Sequence, residues 1–333
     1  MSASLLSQLL RAMLPEKSAW HWPFFGHGGH SLRFALKDVT MAISLYPATV
    51  TMPKVDRPYP SVLSFLAERF PKIERSCWER RIAEGKVLGE DGSPITALSQ
   101  YAPQKRIFYF REVQEERIIP FSEQILFQNE ELLVSCKPHF LPVTPGGPYV
   151  DECLLHRLRK ATGNDELVPI HRIDRETAGL VLFSANRKTR VLYSELFRTG
   201  RIEKTYQAIS AATGNPGNGV WFIENRMVAG EPWFRMKTAA GPFNARSCIK
   251  LVEQKQGKSR FTLNPLTGKT HQLRVHLSGI GFGILNDRYY PDLQAERADD
   301  FESPLQLLAK SVRFQDPVSG KTMQFESVRK LLW

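Results

Sequence analysis

The densest cluster of chemically capable residues is PIHRIDRETAGLVLFS, residues 169–184. A histidine, two arginines and two acids occupy its first half, and its second half is largely apolar. In an extended segment Arg172 and Asp174 point the same way, which sets a cation beside a carboxylate. Such a carboxylate can act as a nucleophile or a base, although most acid–arginine neighbours are surface ion pairs. Thr177 and Gly179 predict a tight turn that holds the acid at the start of a buried strand.

These residue types also suggest a protein kinase or a zinc hydrolase, but the other residues that those activities require are missing. A protein kinase would need a glycine-rich phosphate loop, a strand lysine and a DFG segment, and none is present at usable spacing. The GIGFG stretch (279–283) lacks the third glycine of a dinucleotide loop. His271 and His276 have no glutamate between them, which disfavours a zinc hydrolase. Three further histidines lack cysteine or acidic partners at ligand spacing: His21, His27 and His30. We therefore predict no metal and no cofactor.

Charge is unevenly distributed along the 333 residues. The formal net charge is +11, and residues 154–290 hold 22 Lys and Arg against 10 Asp and Glu, whereas the remainder is nearly balanced. A localised cationic excess next to a candidate site favours a polyanion such as RNA over a membrane surface. No run reaches the roughly 20 apolar residues of a membrane span. The four cysteines stand singly, which is typical of a cytoplasmic protein with reduced thiols.

The N-terminal third divides into two parts. Residues 1–55 mix aromatics, Pro and Gly without periodicity and predict an irregular extension. Residues 56–115 predict two short basic helices and a small β element, which resembles the S4-type α/β RNA-binding module. An ordinary charged helical hairpin remains the alternative. The RNA contacts that the resemblance implies are Arg75, Arg80, Arg81 and Lys86.

The rest of the chain predicts strands joined mostly through turns, with few helices. Residues 125–138 predict strand, turn and strand, 179–184 a buried strand, 186–200 an amphipathic helix and 204–211 another strand. This succession indicates an α+β domain with a largely antiparallel mixed sheet rather than a doubly wound parallel one.

Several blocks occur together in one order: ILFQNEELLVSCKP, HRID, KTYQA, GKTHQLRVHLSGIGFGILNDRYY and LLAKSVRFQDPVSG. This series resembles the RluA-type family of RNA pseudouridine synthases and covers about residues 118–326. The resemblance implies a pseudouridine synthase catalytic domain over 118–333, behind the S4-like module. It also implies RNA as partner, rRNA or tRNA, with no nucleotide cofactor. We take a monomer as the default.

The resemblance also implies residue roles. Asp174 matches the catalytic aspartate, which either attacks C1′ of the target uridine or removes its 2′ proton. Tyr206 matches the tyrosine that packs on the flipped uracil and takes the C5 proton in some schemes. Arg274 matches the basic partner of the aspartate, and Arg172 matches the arginine that fills the place of the flipped base.

Further RNA contacts are predicted around this site: Arg175, Lys204, Lys269 and His271. The chain departs from the family pattern at four positions, with Ala178 for a common Ser, Phe140 for Gly, Thr144 for His and Leu308 for His. These departures make the substrate of better-known members unsafe to transfer. A rival hypothesis is an RNA-binding or assembly protein that keeps the fold without catalysis. A carboxylate in a basic cleft argues against it, because it would repel phosphate.

Overall fold

The computed structural model describes residues 42–44, 46–212, 214 and 218–333. The three N-terminal histidines considered above lie outside these residues, as does most of the predicted extension. The chain divides into two units, the first ending at Glu116 and the second running Arg117–Trp333.

Two short helices form in the first unit where the apolar spacing predicts them. Helix α1 (Val62–Arg69) begins after Ser61, whose Oγ accepts a hydrogen bond from the amide of Ser64. Such a cap typically contributes about 1 kcal/mol. Helix α2 (Arg75–Ala83) ends before Gly85, which has a φ of 69° and stops the helix.

Short strands complete the first unit: β1 (Ala42–Ile43), β2 (Ala48–Thr51), β3 (Val87–Leu88), β4 (Arg106–Tyr109) and β5 (Glu112–Val113). Strand β4 is central in an antiparallel sheet of order β2-β4-β3, and β1 pairs with β5. Trp78 and Ile107 are fully buried in the core that the helices and this sheet share. Strand β2 lies within the segment predicted as an irregular extension, and its pairing with β4 makes it part of the sheet.

An 11-stranded sheet is the scaffold of the second unit. Its strands are β6 (Gln124–Gln128), β7 (Leu132–Lys137), β8 (Val168–Pro169), β9 (Ala178–Ser184), β10 (Ile202–Ser210), β11 (Val220–Ala229), β12 (Met236–Ala239), β13 (Ala245–Lys255), β14 (Lys258–Pro265), β15 (Leu307–Gln315) and β16 (Thr322–Glu326). The order is β12-β11-β13-β14-β10-β15-β9-β7-β6, with β8 on β9 and β16 on β15. Its described pairs are antiparallel except β9 with β15. The predicted α+β class with a largely antiparallel sheet is confirmed.

Strand β9 is buried along its whole length because both of its faces are covered. Val181 and Phe183 join one apolar core, whereas Leu180 and Leu182 join another. This explains why its sequence is continuously apolar instead of alternating. Three helices cover the sheet: α3 (Leu154–Thr162), α4 (Arg190–Arg198) and α5 (Gln272–Gly279). Within the described ranges, no helix is both long and apolar enough to cross a bilayer.

Candidate active site

Asp174 lies in the loop between β8 and β9, and a neutral histidine holds that loop against the sheet. The amide of Leu182 donates to His171 Nε2 (3.1 Å), and the imidazole stacks on Phe197 with ring centroids 4.4 Å apart. Burial lowers the pKa of His171 to about 3, so the ring stays uncharged. The amide of Thr177 donates to the carbonyl of Asp174 (3.1 Å), which closes the turn before β9.

A buried lysine at the end of β7 also fixes this loop. Lys137 is fully buried, and its Nζ donates to the carbonyls of Pro138 (2.9 Å), Leu141 (2.7 Å) and Arg175 (2.9 Å). Burial lowers the pKa of Lys137 well below its ordinary value. Lys137 therefore ties the chain after β7 to the residue that follows Asp174. Its one signal in the sequence is a charge inside the largely apolar run LLVSCK, and we did not predict a role for it.

Arg274 reaches the site from the first turn of α5. Its guanidinium is 1% exposed and donates to both carboxylate oxygens of Asp287, from Nε (2.8 Å) and from Nη2 (2.6 Å). Nη1 lies 3.4 Å from Asp174 Oδ2, and Nη2 lies 3.4 Å from Glu176 Oε2. Burial opposes the charge, but the hydrogen bonds and the charge of Asp287 raise the pKa of Arg274. The strongest partner of the predicted basic residue is thus Asp287, which the sequence did not reveal.

Two tyrosines cover this buried cation. The ring centroids of Tyr289 and Tyr290 lie 4.8 and 5.5 Å from Arg274 Cζ, a geometry that favours a desolvated guanidinium. His271 Nδ1 lies 3.0 Å from the Tyr290 hydroxyl oxygen, and Nε2 lies 3.9 Å from Asp174 Oδ2. Burial lowers the pKa of His271, although the charge of Asp174 opposes this. His271, predicted to contact RNA, therefore lies beside the candidate catalytic acid.

Tyr206 lies on β10 opposite Leu263 of β14, and its ring packs against the core that includes Leu273. Burial raises the pKa of Tyr206, and the negative charge of Asp174 raises it further. The phenol consequently stays protonated at neutral pH. The three residues predicted to be catalytic, Asp174, Tyr206 and Arg274, are thus brought together by three separate elements.

The other predicted contacts of the catalytic unit differ in how freely they face solvent. Arg172 and Lys269 are exposed, whereas Lys204 is half-buried and burial lowers its pKa. Arg175 is engaged within the protein, because its guanidinium donates to both oxygens of Asp299 at 2.8 and 2.9 Å. This ion pair makes Arg175 a less available RNA contact than the sequence predicts.

Three of the four cations predicted for the first unit converge on one acid. Arg80, Arg81 and Lys86 all bond the Glu112 carboxylate, at 3.4, 3.1 and 2.5 Å. Burial opposes ionisation of Glu112, but the hydrogen bonds from Lys86 and Arg81 lower its pKa. Arg75 is more exposed and pairs with the neighbouring Glu79 at 3.0 Å. Of the four, Arg81 is nearly buried and so is the least able to reach a phosphate.

Phe140, which stands where the resembled family commonly has glycine, has a backbone conformation that favours glycine. Its φ is 66°, in the left-handed region that favours glycine. The side chain is buried against Phe301, with ring centroids 5.1 Å apart, and against Phe121 at 6.3 Å. Burial of this aromatic cluster offsets backbone strain of about 1 to 3 kcal/mol.

Comparison with known proteins agrees with this fold. A sequence model described as RNA pseudouridylate synthase matches residues 131–279. The dual-specificity RNA pseudouridine synthase RluA of Haemophilus influenzae is 29% identical over 208 residues, which cover 61% of this chain and 91% of that protein. The ribosomal large subunit pseudouridine synthase C of Yersinia pestis is 27% identical over 287 residues, 79% of this chain and 87% of its own.

A solved structure has a similar fold. The human RNA pseudouridylate synthase domain containing 1 gives a TM-score of 0.53 at 20% identity, over 64% of this chain and 86% of its own. Fold and sequence together define an isomerase that acts on RNA. The chain is similar in sequence to RNA pseudouridine synthases, including one named RluA.

Proposed function

We propose that this enzyme converts uridine to pseudouridine in structured RNA, either rRNA or tRNA, with Asp174 as the catalytic carboxylate. The observation that carries the proposal is the placement of Asp174. Its side chain is 28% exposed, so substrate can reach it, while Arg274 contacts it from a buried position fixed by Asp287. A guanidinium at 3.4 Å stabilises the negative charge that the reaction needs.

The isomerisation makes defined demands on this site. The C1′–N1 bond of the uridine breaks, the uracil rotates, and a C1′–C5 bond forms while C5 loses its proton and N1 gains one. No electrons are exchanged with a cofactor. Asp174 serves the bond cleavage by attack on C1′ or by removal of the 2′ proton, and its partner Arg274 suits both routes.

The target base must leave its stack in the RNA to reach the partly exposed carboxylate of Asp174. Extrusion costs a few kcal/mol. Arg172 is exposed two residues before Asp174, and in this proposal its side chain occupies the vacated position. Lys204 is close enough to His171 of the same loop to lower its pKa, and Lys269 just precedes the helix that carries Arg274. The first unit adds RNA affinity through its helices as an S4-like module in this proposal.

Tritium release tests the proposed activity directly. Transcripts of large-subunit rRNA and of a tRNA pool are made with uridine tritiated at C5, and the purified chain is added. Because pseudouridine formation breaks the C5–H bond, we expect tritium release from at least one RNA class. Binding to both classes with no release from either would instead identify a non-catalytic RNA-binding protein.

A further inference from the structure

The turn between β11 and β12 displays an aromatic side chain that the proposed reaction does not use. Trp233 is 75% exposed, and its ring lies edge-on to Phe234 with centroids 5.9 Å apart. A tryptophan offers a large flat apolar face together with an N–H donor, the combination that is enriched at interfaces.

Ring and hydrogen-bond contacts fix this turn to the active site. Phe234 packs on Tyr289 with centroids 5.2 Å apart, and Tyr289 covers Arg274. The amide of Met236 donates to the Tyr290 hydroxyl (2.7 Å). The turn is therefore anchored to the same two tyrosines that enclose the partner of Asp174.

A second set of contacts anchors Arg235 of this turn, and the local charge favours an anionic occupant. Arg235 Nη2 donates to the carbonyl of Pro291 (2.8 Å), and its Cζ lies 5.1 Å from the Tyr290 ring. Residues 226–240 hold three cations, including an exposed Lys237, against one acid, Glu231. Exposed aromatics with adjacent cations are the features that bind unpaired nucleotides, through base stacking and phosphate attraction.

We propose that Trp233 is the stacking platform for an unpaired nucleotide adjacent to the target uridine, with Arg235 and Lys237 facing its phosphates. This rests on the proposed function of the Asp174 site. The platform contributes to RNA affinity and to the choice of loop, and it takes no part in bond cleavage.

Three variants of the full chain test this subsite: Trp233→Ala, Trp233→Phe and Phe222→Ala. Phe222 is a matched control, because it lies on β11 and is 79% exposed, on the opposite side of the strand from Trp221, which packs against Phe261. The probes are a labelled RNA hairpin with a seven-nucleotide uridine loop, in an affinity titration, and the tritiated large-subunit rRNA transcript, for KM and kcat.

We expect Trp233→Ala to weaken binding about 5- to 100-fold and to raise KM rather than lower kcat, because one base–aromatic stack is lost. Trp233→Phe keeps a ring and should stay within about threefold of wild type. Phe222→Ala should bind like wild type. Equal affinity of wild type and Trp233→Ala, or an equal loss in Phe222→Ala, would overturn the subsite and leave the surface for a protein partner. Failure of the wild-type chain to bind either RNA would instead contradict the proposed function itself.

Discussion

Arg274 contacts three carboxylates, and its distances rank them. Asp287 takes two hydrogen bonds of 2.8 and 2.6 Å, whereas Asp174 and Glu176 each lie 3.4 Å away. Asp287 therefore sets the orientation of the guanidinium. The remaining nitrogen, Nη1, donates to Asp174. Removal of one partner from a buried pair is costly, since a charge is left without compensation. In the proposed mechanism, Asp287 is therefore a positioning residue for the pair of Arg274 and Asp174.

The protonated state of Tyr206 leads to a prediction about its hydroxyl. Because burial and Asp174 raise the pKa of Tyr206, the phenol is a poor proton acceptor at neutral pH, and we expect packing on the uracil to be its main task. We expect Tyr206→Phe to retain kcat within about tenfold in the tritium-release assay, whereas Tyr206→Ala loses far more. A fall of about 10²-fold or more in the Phe variant would assign the hydroxyl a role in proton transfer.

At the level of single residues, the sequence shows which groups can do chemistry but not how they are held. Asp174, Tyr206 and Arg274 could be predicted because each stands in a block that resembles one family. Asp287 and Lys137 could not, because a carboxylate in LNDRYY and a lysine in a strand gain their roles only through partners brought together by folding. The ion pair of Arg175 could not be predicted either, since its partner Asp299 is far away in the chain.

The pairing of β9 with β15 requires glycine at the end of the catalytic loop. An ideal Cβ on Gly179 would lie 2.2 Å from the carbonyl oxygen of Ala309, and its φ is 114°. Gly200 is a matched control, because its φ of 71° is also positive but its Cβ would meet nothing within 4 Å. We expect Gly200→Ala to lower the free energy of unfolding by about 1 kcal/mol and Gly179→Ala to lower it by more than about 3 kcal/mol.

Urea unfolding of both variants measures the difference. Equal costs would mean that β15 can move away from β9 and that the strands do not hold the loop rigidly.

The same strand pair relates two departures from the family pattern, since Ala178 and Leu308 are direct register partners, both fully buried. A small and a large apolar residue thus replace a common Ser and His at neighbouring positions. The two positions are far apart in the sequence, so the sequence alone does not show that they are neighbours.

Helix α2 offers cations of two kinds, and they should respond differently to mutation. Arg81 is 5% exposed and bonds Glu112, so Arg81→Ala should lower the free energy of unfolding by about 3 kcal/mol. Arg75 is exposed, so Arg75→Ala should leave stability nearly unchanged and, if this helix contacts phosphate, reduce the salt slope of RNA binding by about one. Urea unfolding and salt titrations measure these effects. An unaltered slope in Arg75→Ala would count against this RNA contact.

Four histidines of the second unit make the stability of the whole molecule depend on pH. Burial lowers the pKa of His139 and His276 to about 4 and that of His171 to about 3, and it also lowers the pKa of His271. The unfolded chain binds protons near pH 6.5, so it holds more protons than the folded chain below that value. Stability is therefore full above about pH 6.5 and falls as the pH drops toward 4, by at most about 1.4 kcal/mol per pH unit for each histidine.

Urea unfolding at pH 7, 6 and 5 checks this pH dependence. The double variant His139→Asn with His171→Asn keeps a hydrogen-bonding group at each position without a titrating ring. Its stability should change less between pH 7 and 5 than that of the wild type. A wild-type stability that is constant over this range would show that the buried rings take up protons without cost.

The architecture could be foreseen only in part. Turns between short strands and the continuous apolar run of β9 indicate a largely antiparallel α+β fold. Both features can be predicted because each depends on residues that are close together in the sequence. The position of β15 between β9 and β10 could not be foreseen, since parallel pairing joins strands more than 120 residues apart. That pairing brings the loop of Asp174 close to Tyr206 on β10.

A single substitution tests whether Asp174 is the catalytic carboxylate. Asp174→Asn keeps the shape of the side chain and removes its charge, and Asp292→Asn, at an exposed acid, is the matched control. Tritium release and RNA affinity are measured together on the same transcript. We expect Asp174→Asn to lose activity by about 10³-fold or more while binding RNA at least as tightly as wild type. Conversion of uridine by the Asn variant at a rate near that of Asp292→Asn would contradict the account.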